Sequence, residues 1–249
     1  MATPRQAGFE AARGVSRAAL RSMDLSDFLA RLPRGDLWIF GYGSLMWAPG
    51  FRASEHAVAL LHGYHRALCI LSHRHRGTPE IPGLVMGLCR GGSCWGMAFR
   101  VPQARRRGVL VRLWHREMRN RVYAPRLLIV RAGARPLRAL AFVANPGHPQ
   151  FAGELDLHSR ARLVAQGIGE RGRSLDYIRN TVAHMSALGV RDPHLEGVLR
   201  AALELHSLHG HRDLARLTVG ARPSGRAAPR ARSVSARALR RGVRAACRN

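Results

Sequence analysis

Lysine is absent from these 249 residues, and all 41 basic side chains are arginine. Acids number only 15, which sets the formal net charge at +26 at pH 7. A field of that sign attracts anions, from small carboxylates to nucleic acid, and speeds their encounter at low salt. Complete exchange of lysine for arginine beside abundant Ala, Gly and Leu also fits codon bias, so the charge alone assigns no partner. Cysteine is scarce: Cys69, Cys89, Cys94 and Cys247 are too few to frame a disulfide scaffold in a chain this long. That points to a reducing compartment, taken as the cytoplasm. Cys89 and Cys94 flank Arg90-Gly91-Gly92-Ser93, which reads as a hairpin turn, and no second Cys/His pair follows at zinc-site spacing. No metal is expected. Long apolar runs are missing too, none approaching the roughly 18 residues of a membrane-spanning helix. Aromatics make up 6% of the chain and none lies among the tail arginines, which argues against stacking on unpaired bases and leaves only non-specific contact with nucleic acid.

What is present is a hydrophobic content of 46% with a mean hydropathy of −0.16, enough for one compact domain with extensions. Residues 1–35 carry apolar side chains at loosely helical spacing and read as a helical extension; the Arg-rich, acid-poor start also resembles a transit peptide. No apolar h-region of a secretory signal stands there. From Leu37 to Val101 the chain reads as short strands, Leu37–Tyr42, Ala57–Tyr64, Ala67–Ser72, Leu84–Cys89 and Cys94–Val101, the spacing of a barrel-like mixed sheet. A helix over Gln103–Asn120, strands at Arg126–Arg131 and Arg138–Val143, and helices at Ser159–Gly167, Asp176–Leu188 and Pro193–His209 follow. The expected class is α+β, a mixed β-barrel core with flanking helices over 36–210. Residues 221–249 hold nine arginines and no acid, and read as a disordered tail.

Two segments carry chemistry. Trp38-Ile39-Phe40-Gly41-Tyr42-Gly43-Ser44-Leu45-Met46-Trp47 is an apolar run feeding a two-glycine turn. Gly41 and Gly43 can take positive φ and turn backbone N–H groups into a concave nest for a carboxylate or an oxyanion, though an ordinary hairpin turn gives the same pattern. Ser44 lacks the strand-to-helix elbow of a nucleophilic serine. In the helix from Gln103, Glu117 follows Leu110 by seven residues, Leu113 by four and Trp114 by three, which turns its carboxylate toward the apolar face, while Arg112, Arg116 and Arg119 point elsewhere. Such a carboxylate is paired, protonated or functional. A salt bridge to Arg121 is the structural alternative.

Phe40-Gly41-Tyr42-Gly43-Ser44-Leu45-Met46-Trp47 with Pro49-Gly50-Phe51 resembles the opening signature of the ChaC-like γ-glutamylcyclotransferases. The resemblance continues through Gly63-Tyr64-His65-Arg66, Arg76-Gly77-Thr78-Pro79-Glu80, Pro82-Gly83-Leu84-Val85, Gly91-Gly92-Ser93-Cys94-Trp95-Gly96, Arg116-Glu117, Tyr123, Asn145 to Gln150, Asp176-Tyr177-Ile178 and Asp192-Pro193-His194-Leu195. It covers about residues 36–205. It implies a γ-glutamylcyclotransferase-like fold and a lyase that cleaves glutathione to 5-oxoproline and cysteinylglycine, monomeric and without metal or organic cofactor. Glu117 would be the general acid/base, with Tyr42, Gly43, Ser44, Leu45 and Tyr123 binding the substrate. Tyr123 reads equally as aromatic core. Arg74 and Arg76 stand in a loop able to meet a glycyl carboxylate. Phe151 and Val122 depart from the family pattern, which has a tyrosine and a glycine at those places. The alternatives are the same ring closure on another γ-glutamyl peptide or amine, and a basic RNA- or anion-binding protein.

Overall fold

The computed structural model describes residues 24–217; the start of the extension and the arginine-rich tail expected at 221–249 lie outside the described residues. Helix α1 (Leu25–Ala30) leads into β1 (Leu37–Gly41), a short 3-10 turn (Ser44–Met46), β2 (Glu55–Ser72), β3 (Gly83–Val101), α2 (Gln103–Glu117), β4 (Tyr123–Ala132) and β5 (Arg135–Ala144). Then come α3 (Leu157–Gln166), a two-stranded β6–β7 pair (Ile168–Gly169 and Gly172–Arg173), α4 (Ser174–Ala187) and α5 (Pro193–Leu217). The five long strands close a barrel in the order β1-β3-β2-β4-β5, as the α+β barrel reading expects.

Closure depends on β1, which runs antiparallel to β3 and parallel to β5, with Trp38 beside Ala139 and Ile39 beside Leu140. A strand paired on both edges and covered on both faces must be apolar throughout, and every residue of Leu37–Gly41 is buried. Alternation then sorts the side chains. Trp38 and Phe40, with Ala139, Ala141 and Val143 of β5, join the larger core cluster that extends to α3, α4 and α5. Leu37 and Ile39, with Leu140 and Phe142, pack instead against Val109, Leu110 and Leu113 of α2 and Phe28 of α1. Phe28 and Trp114 stack at 5.3 Å between ring centres, which docks the short first helix on α2.

Two expected breaks are corrected. Ala57–Tyr64 and Ala67–Ser72 are one strand, and so are Leu84–Cys89 and Cys94–Val101; β2 and β3 pair from Glu55 opposite Arg100 to Ser72 opposite Gly83. Gly91 and Gly92, which read as a hairpin turn, sit inside β3, and Gly63 sits inside β2. Gly63 has φ 80°, Gly91 94° and Gly92 65°, and the register slips between His62 and Tyr64. Positive φ there makes bulges that bend both strands around a barrel corner without ending them. Cys89 consequently meets Cys69, with the sulfurs 3.4 Å apart, and does not face Cys94 across a turn.

Gly96 on β3 marks the tightest approach between β1 and β3. A Cβ there would stand 2.4 Å from the Gly41 carbonyl oxygen and 2.7 Å from Cζ of Phe40. Gly96→Ala is therefore expected to lower stability by about 1–3 kcal/mol, the usual effect of overpacking. Urea denaturation followed by circular dichroism checks it, and an unchanged midpoint would show that β1 can shift freely.

Candidate active site

The end of β1 delivers the glycine turn to one cavity of about 570 Å³. Neither Gly41 nor Gly43 has positive φ, which corrects the expected reason for the two glycines. Space is the reason. A Cβ on Gly41 would lie 2.9 Å from Cβ of Leu45, and one on Gly43 would lie 2.9 Å from the Tyr177 hydroxyl. The turn folds back through Met46 N–H donating to Gly43 O at 2.9 Å, and no group outside it takes the amide hydrogens of Gly43, Ser44 or Leu45 among the described residues.

Ser44 and Glu117 line the cavity, as does Tyr123. The other predicted residues support its wall. Tyr42 is buried with its hydroxyl donating to Phe142 O at 2.7 Å, and its own carbonyl accepts from Arg66 Nε at 2.6 Å. Leu45 packs into the α1–α2 side of the core. Tyr123, the first residue of β4, donates its hydroxyl hydrogen to Met86 O at 2.7 Å, so its donor is already used.

Helix α2 ends at Glu117, earlier than the expected Asn120: Met118 still donates its N–H to Trp114 O but leaves helical geometry at φ −103° and ψ 2°. Its buried stripe, Val109, Leu110 and Leu113, turns Glu117 inward as the spacing predicts, leaving the carboxylate side chain 15% exposed. The ion pair differs from the expected one. Arg116 Nε, not Arg121, stands 3.0 Å from Glu117 Oε1. The same guanidinium donates to Ala48 O at 2.6 Å and to Ser44 Oγ at 2.8 Å, so one arginine fastens the glycine turn to the helix end. Helical position points Arg116 and Arg119 away from the apolar face, yet both line the cavity. The helical period fixes where Cβ points, but an arginine stem at a helix terminus is long enough to fold back over it.

Ser44 Oγ accepts from that arginine and has no histidine or carboxylate beside it among its hydrogen bonds, so nothing activates it as a nucleophile. Glu117 is the one acid among the described lining residues, against Arg74, Arg76, Arg116, Arg119 and Arg171. Burial pushes its carboxyl above the ordinary glutamate range, while the Arg116 and Arg171 guanidiniums pull it back without cancelling the rise. Burial, helped by Arg171 and Arg74, pushes His75 below its usual value and keeps it neutral near pH 7.

Of the two loop arginines, Arg74 pairs with Glu170 at 2.7 Å, and Arg76 donates to the carbonyls of Arg171 and Arg173 and lies over the Tyr177 ring. Arg119 and Arg171 have no such partner among the described residues. Tyr177 is the main residue the sequence reasoning missed. Its oxygen accepts from Met86 N–H at 3.3 Å, while its hydrogen has no acceptor among the described residues, which makes it a free donor in the cavity. The signal was present as Asp176-Tyr177-Ile178, but a tyrosine on an apolar helix face reads as core. Phe151 lines a separate cavity of about 350 Å³ beside Cys89, so the absent hydroxyl there removes nothing from this wall. Buried Val122 does line it.

The family model described as ChaC-like protein matches residues 37–204. A glutathione-specific gamma-glutamylcyclotransferase of Escherichia coli (strain K12) is 33% identical over 190 residues, covering 76% of this chain and 82% of the relative. Glutathione-specific gamma-glutamylcyclotransferase 1 of Homo sapiens is 33% identical over 184 residues, covering 69% and 83%. Among solved structures, a γ-glutamyl cyclotransferase specific to glutathione from yeast superposes with a TM-score of 0.64 at 18% identity, over 69% of this chain and 97% of that one, which shows the shared fold. A match that begins in the first barrel strand and runs into the last helix, with relatives this similar over most of their length, shows that the chain belongs to the ChaC-like family.

Proposed function

We propose that this protein cleaves glutathione by cyclising its γ-glutamyl group, releasing 5-oxoproline and cysteinylglycine. The observation that carries the reading is Glu117: a single, largely buried carboxyl with a raised pKa on a cavity wall otherwise rich in arginine, in a chain whose relatives are named for that activity.

The reaction needs no protein nucleophile. The α-amine of the γ-glutamyl residue attacks its own γ-carbonyl carbon, a five-membered lactam forms, and the C–N bond to cysteine breaks. Holding the chain folded in the cavity removes much of the entropic barrier. Glu117 as carboxylate takes a proton from the α-ammonium, the attacking nitrogen sheds a second as the lactam forms, and both end on the departing cysteinyl amine, which leaves as an ammonium with Glu117 again a carboxylate, so no water is consumed. Its raised pKa suits both directions. The unused amides of Gly43, Ser44 and Leu45 and the free Tyr177 donor supply partners for the head group and for the oxyanion that forms at the carbonyl. Tyr42 shapes the turn from beneath, and Tyr123 bounds the cavity by its ring. Glutathione carries a net negative charge, and Arg119 and Arg171, whose guanidiniums form no hydrogen bond or ion pair among the described residues, suit its glycyl carboxylate better than Arg74 and Arg76 do. We take the protein to act as a soluble monomer in the cytoplasm; no helix among the described residues is long and apolar enough to cross a membrane.

Incubation with glutathione should yield 5-oxoproline by mass spectrometry, and Glu117→Gln should lower turnover at least about a hundredfold. The same variant separates catalysis from a structural ion pair. Because the folded state raises the Glu117 pKa, the stability linked to its proton is full below the unfolded value and lost as pH rises through the folded value. Glutamine never ionises, so the variant should melt at or above wild type near pH 8, where a structural ion pair would require it to melt lower.

The acidic limb of kcat/KM should lie at higher pH than an ordinary glutamate gives. Arg116 holds the Glu117 pKa down, so Arg116→Met should move that limb further up while releasing the turn and slowing the reaction about tenfold to a hundredfold. A limb that moves down, or stays, contradicts the assignment of Glu117 as the titrating group.

In a competition assay glutathione should be consumed faster than γ-glutamyl-alanine. Preference for the dipeptide or for a γ-glutamyl amine would keep the ring closure and change the substrate.

A further inference from the structure

A second cavity, of about 590 Å³, lies between the β2–β3 strands and helices α3, α4 and α5, and shares no lining residue with the candidate active site. Its size falls within the usual range for small-molecule sites. Leu68, Met86, Met185, Leu195 and Val198 give it an apolar wall, and Arg160 of α3 also lines it. Arg160 Nε is buried without a hydrogen-bond partner, and no carboxylate pairs with its guanidinium among the described residues. Arg160 as a whole is half-buried, and a partly desolvated guanidinium with no ion pair favours an anionic partner at its outer nitrogens. The cavity does not hold a spare one. Asp192 is the only acid among the described residues lining it and faces Arg66 at 3.5 Å, while Arg191 is paired with Glu196 at 2.6 Å.

We propose that this cavity binds a small organic carboxylate, its anionic end on Arg160 and its apolar body on the Leu68–Met86–Val198 wall, and that occupancy is passed to the active-site turn through Arg66. A carboxylate matches the planar fork of one arginine. Phosphate, strongly hydrated and more highly charged, would gain nothing from the apolar wall and would be repelled more by Asp192. The connection to the turn is short. Arg66, whose side chain is 5% exposed, donates from Nε to Tyr42 O at 2.6 Å and from Nη2 to Trp95 O at 2.6 Å, and offers Nη1 to Asp192 across the longer 3.5 Å. An anion arriving beside Arg160 repels Asp192 and attracts Arg66, and so shifts the group that holds the Tyr42 carbonyl. Met86 adds a second link, because it lines this cavity while its backbone bonds Tyr123 and Tyr177 on the other side.

The test titrates the full chain with para-trifluoromethylbenzoate, followed by fluorine NMR at fixed ionic strength. One saturable equivalent is expected, unchanged in Glu117→Gln, not displaced by glutathione, and weakened at least about tenfold in Arg160→Met, the loss of one charge-assisted contact. Val198→Phe, which narrows the cavity and leaves the charge in place, gives an independent check and should weaken binding as well. Equal binding by both variants, many weak salt-sensitive sites, or displacement by glutathione overturns the site. Displacement by inorganic phosphate at matched ionic strength overturns the choice of carboxylate. The coupling rests on the proposed glutathione cleavage: the benzoate should change KM about fivefold or more in wild type and not in Arg160→Met, within the usual range of allosteric effects. An unchanged KM overturns the coupling alone, and a protein inactive on glutathione overturns the proposed activity while the titration still decides the site.

Discussion

The burial of β1 on both faces and both edges is the constraint from which the rest of the molecule follows. Five residues, Leu37–Gly41, bridge β3 and β5 and close the barrel, and their alternation divides the core into a cluster shared with the C-terminal helices and a cluster shared with α1 and α2. A strand held in this way has no freedom at its end. The chain leaving Gly41 must turn at once, beneath Leu45 and beside Tyr177, where only glycine leaves room. The position of the turn is thus set by barrel closure, and the helix that faces it, α2, packs on the same strand through Leu110 and Leu113. Turn and carboxylate share one rigid support, which is the arrangement that a reaction governed by proximity requires.

Charge at the site reflects a contest decided by burial. Arginines surround Glu117, and in water their attraction would hold its carboxyl low. The rise survives because removing the carboxylate from water costs more than Arg116 and Arg171 return. Geometry limits Arg116 further, since its guanidinium is shared among Glu117, Ser44 and Ala48. A cation that also serves two neutral oxygens fixes the turn in place and still leaves the carboxyl basic enough to accept a proton. The chain's overall positive charge has a separate, longer-range effect, drawing anionic molecules toward the cavity at a rate that falls as salt rises.

Much of the fold was legible because period and composition agree where burial is complete. The apolar run of β1, the 3.6-residue stripe of α2 and the helical stripes of α4 and α5 each define a face, and the structure uses those faces. The barrel corners were not legible. Gly63, Gly91 and Gly92 break the alternation just as hairpin turns do, and only pairing partners far along the chain distinguish a bulge within an 18- or 19-residue strand from the end of a short one. Local sequence encodes the positive φ at Gly91 and Gly92 but not whether the two halves of β3 continue along the same neighbour.

The site divides along the same line. Glu117 was legible because its role depends on a helical face, a short-range property. Arg116, one residue earlier, was not: its Cβ leaves the helix in another direction, and what brings the guanidinium back is the presence of Ser44 and Ala48, 72 and 68 residues away in sequence. Tyr177 follows the same rule, since its free hydroxyl acquires meaning only from Met86 and Gly43 in other elements. Helical periodicity predicts the direction of the first bond of a side chain. Where the side chain is short, as in leucine or glutamate, that direction nearly settles the contact; where it is long and ends in a fork of donors, the acceptors within reach decide, and those are assembled only by the tertiary fold.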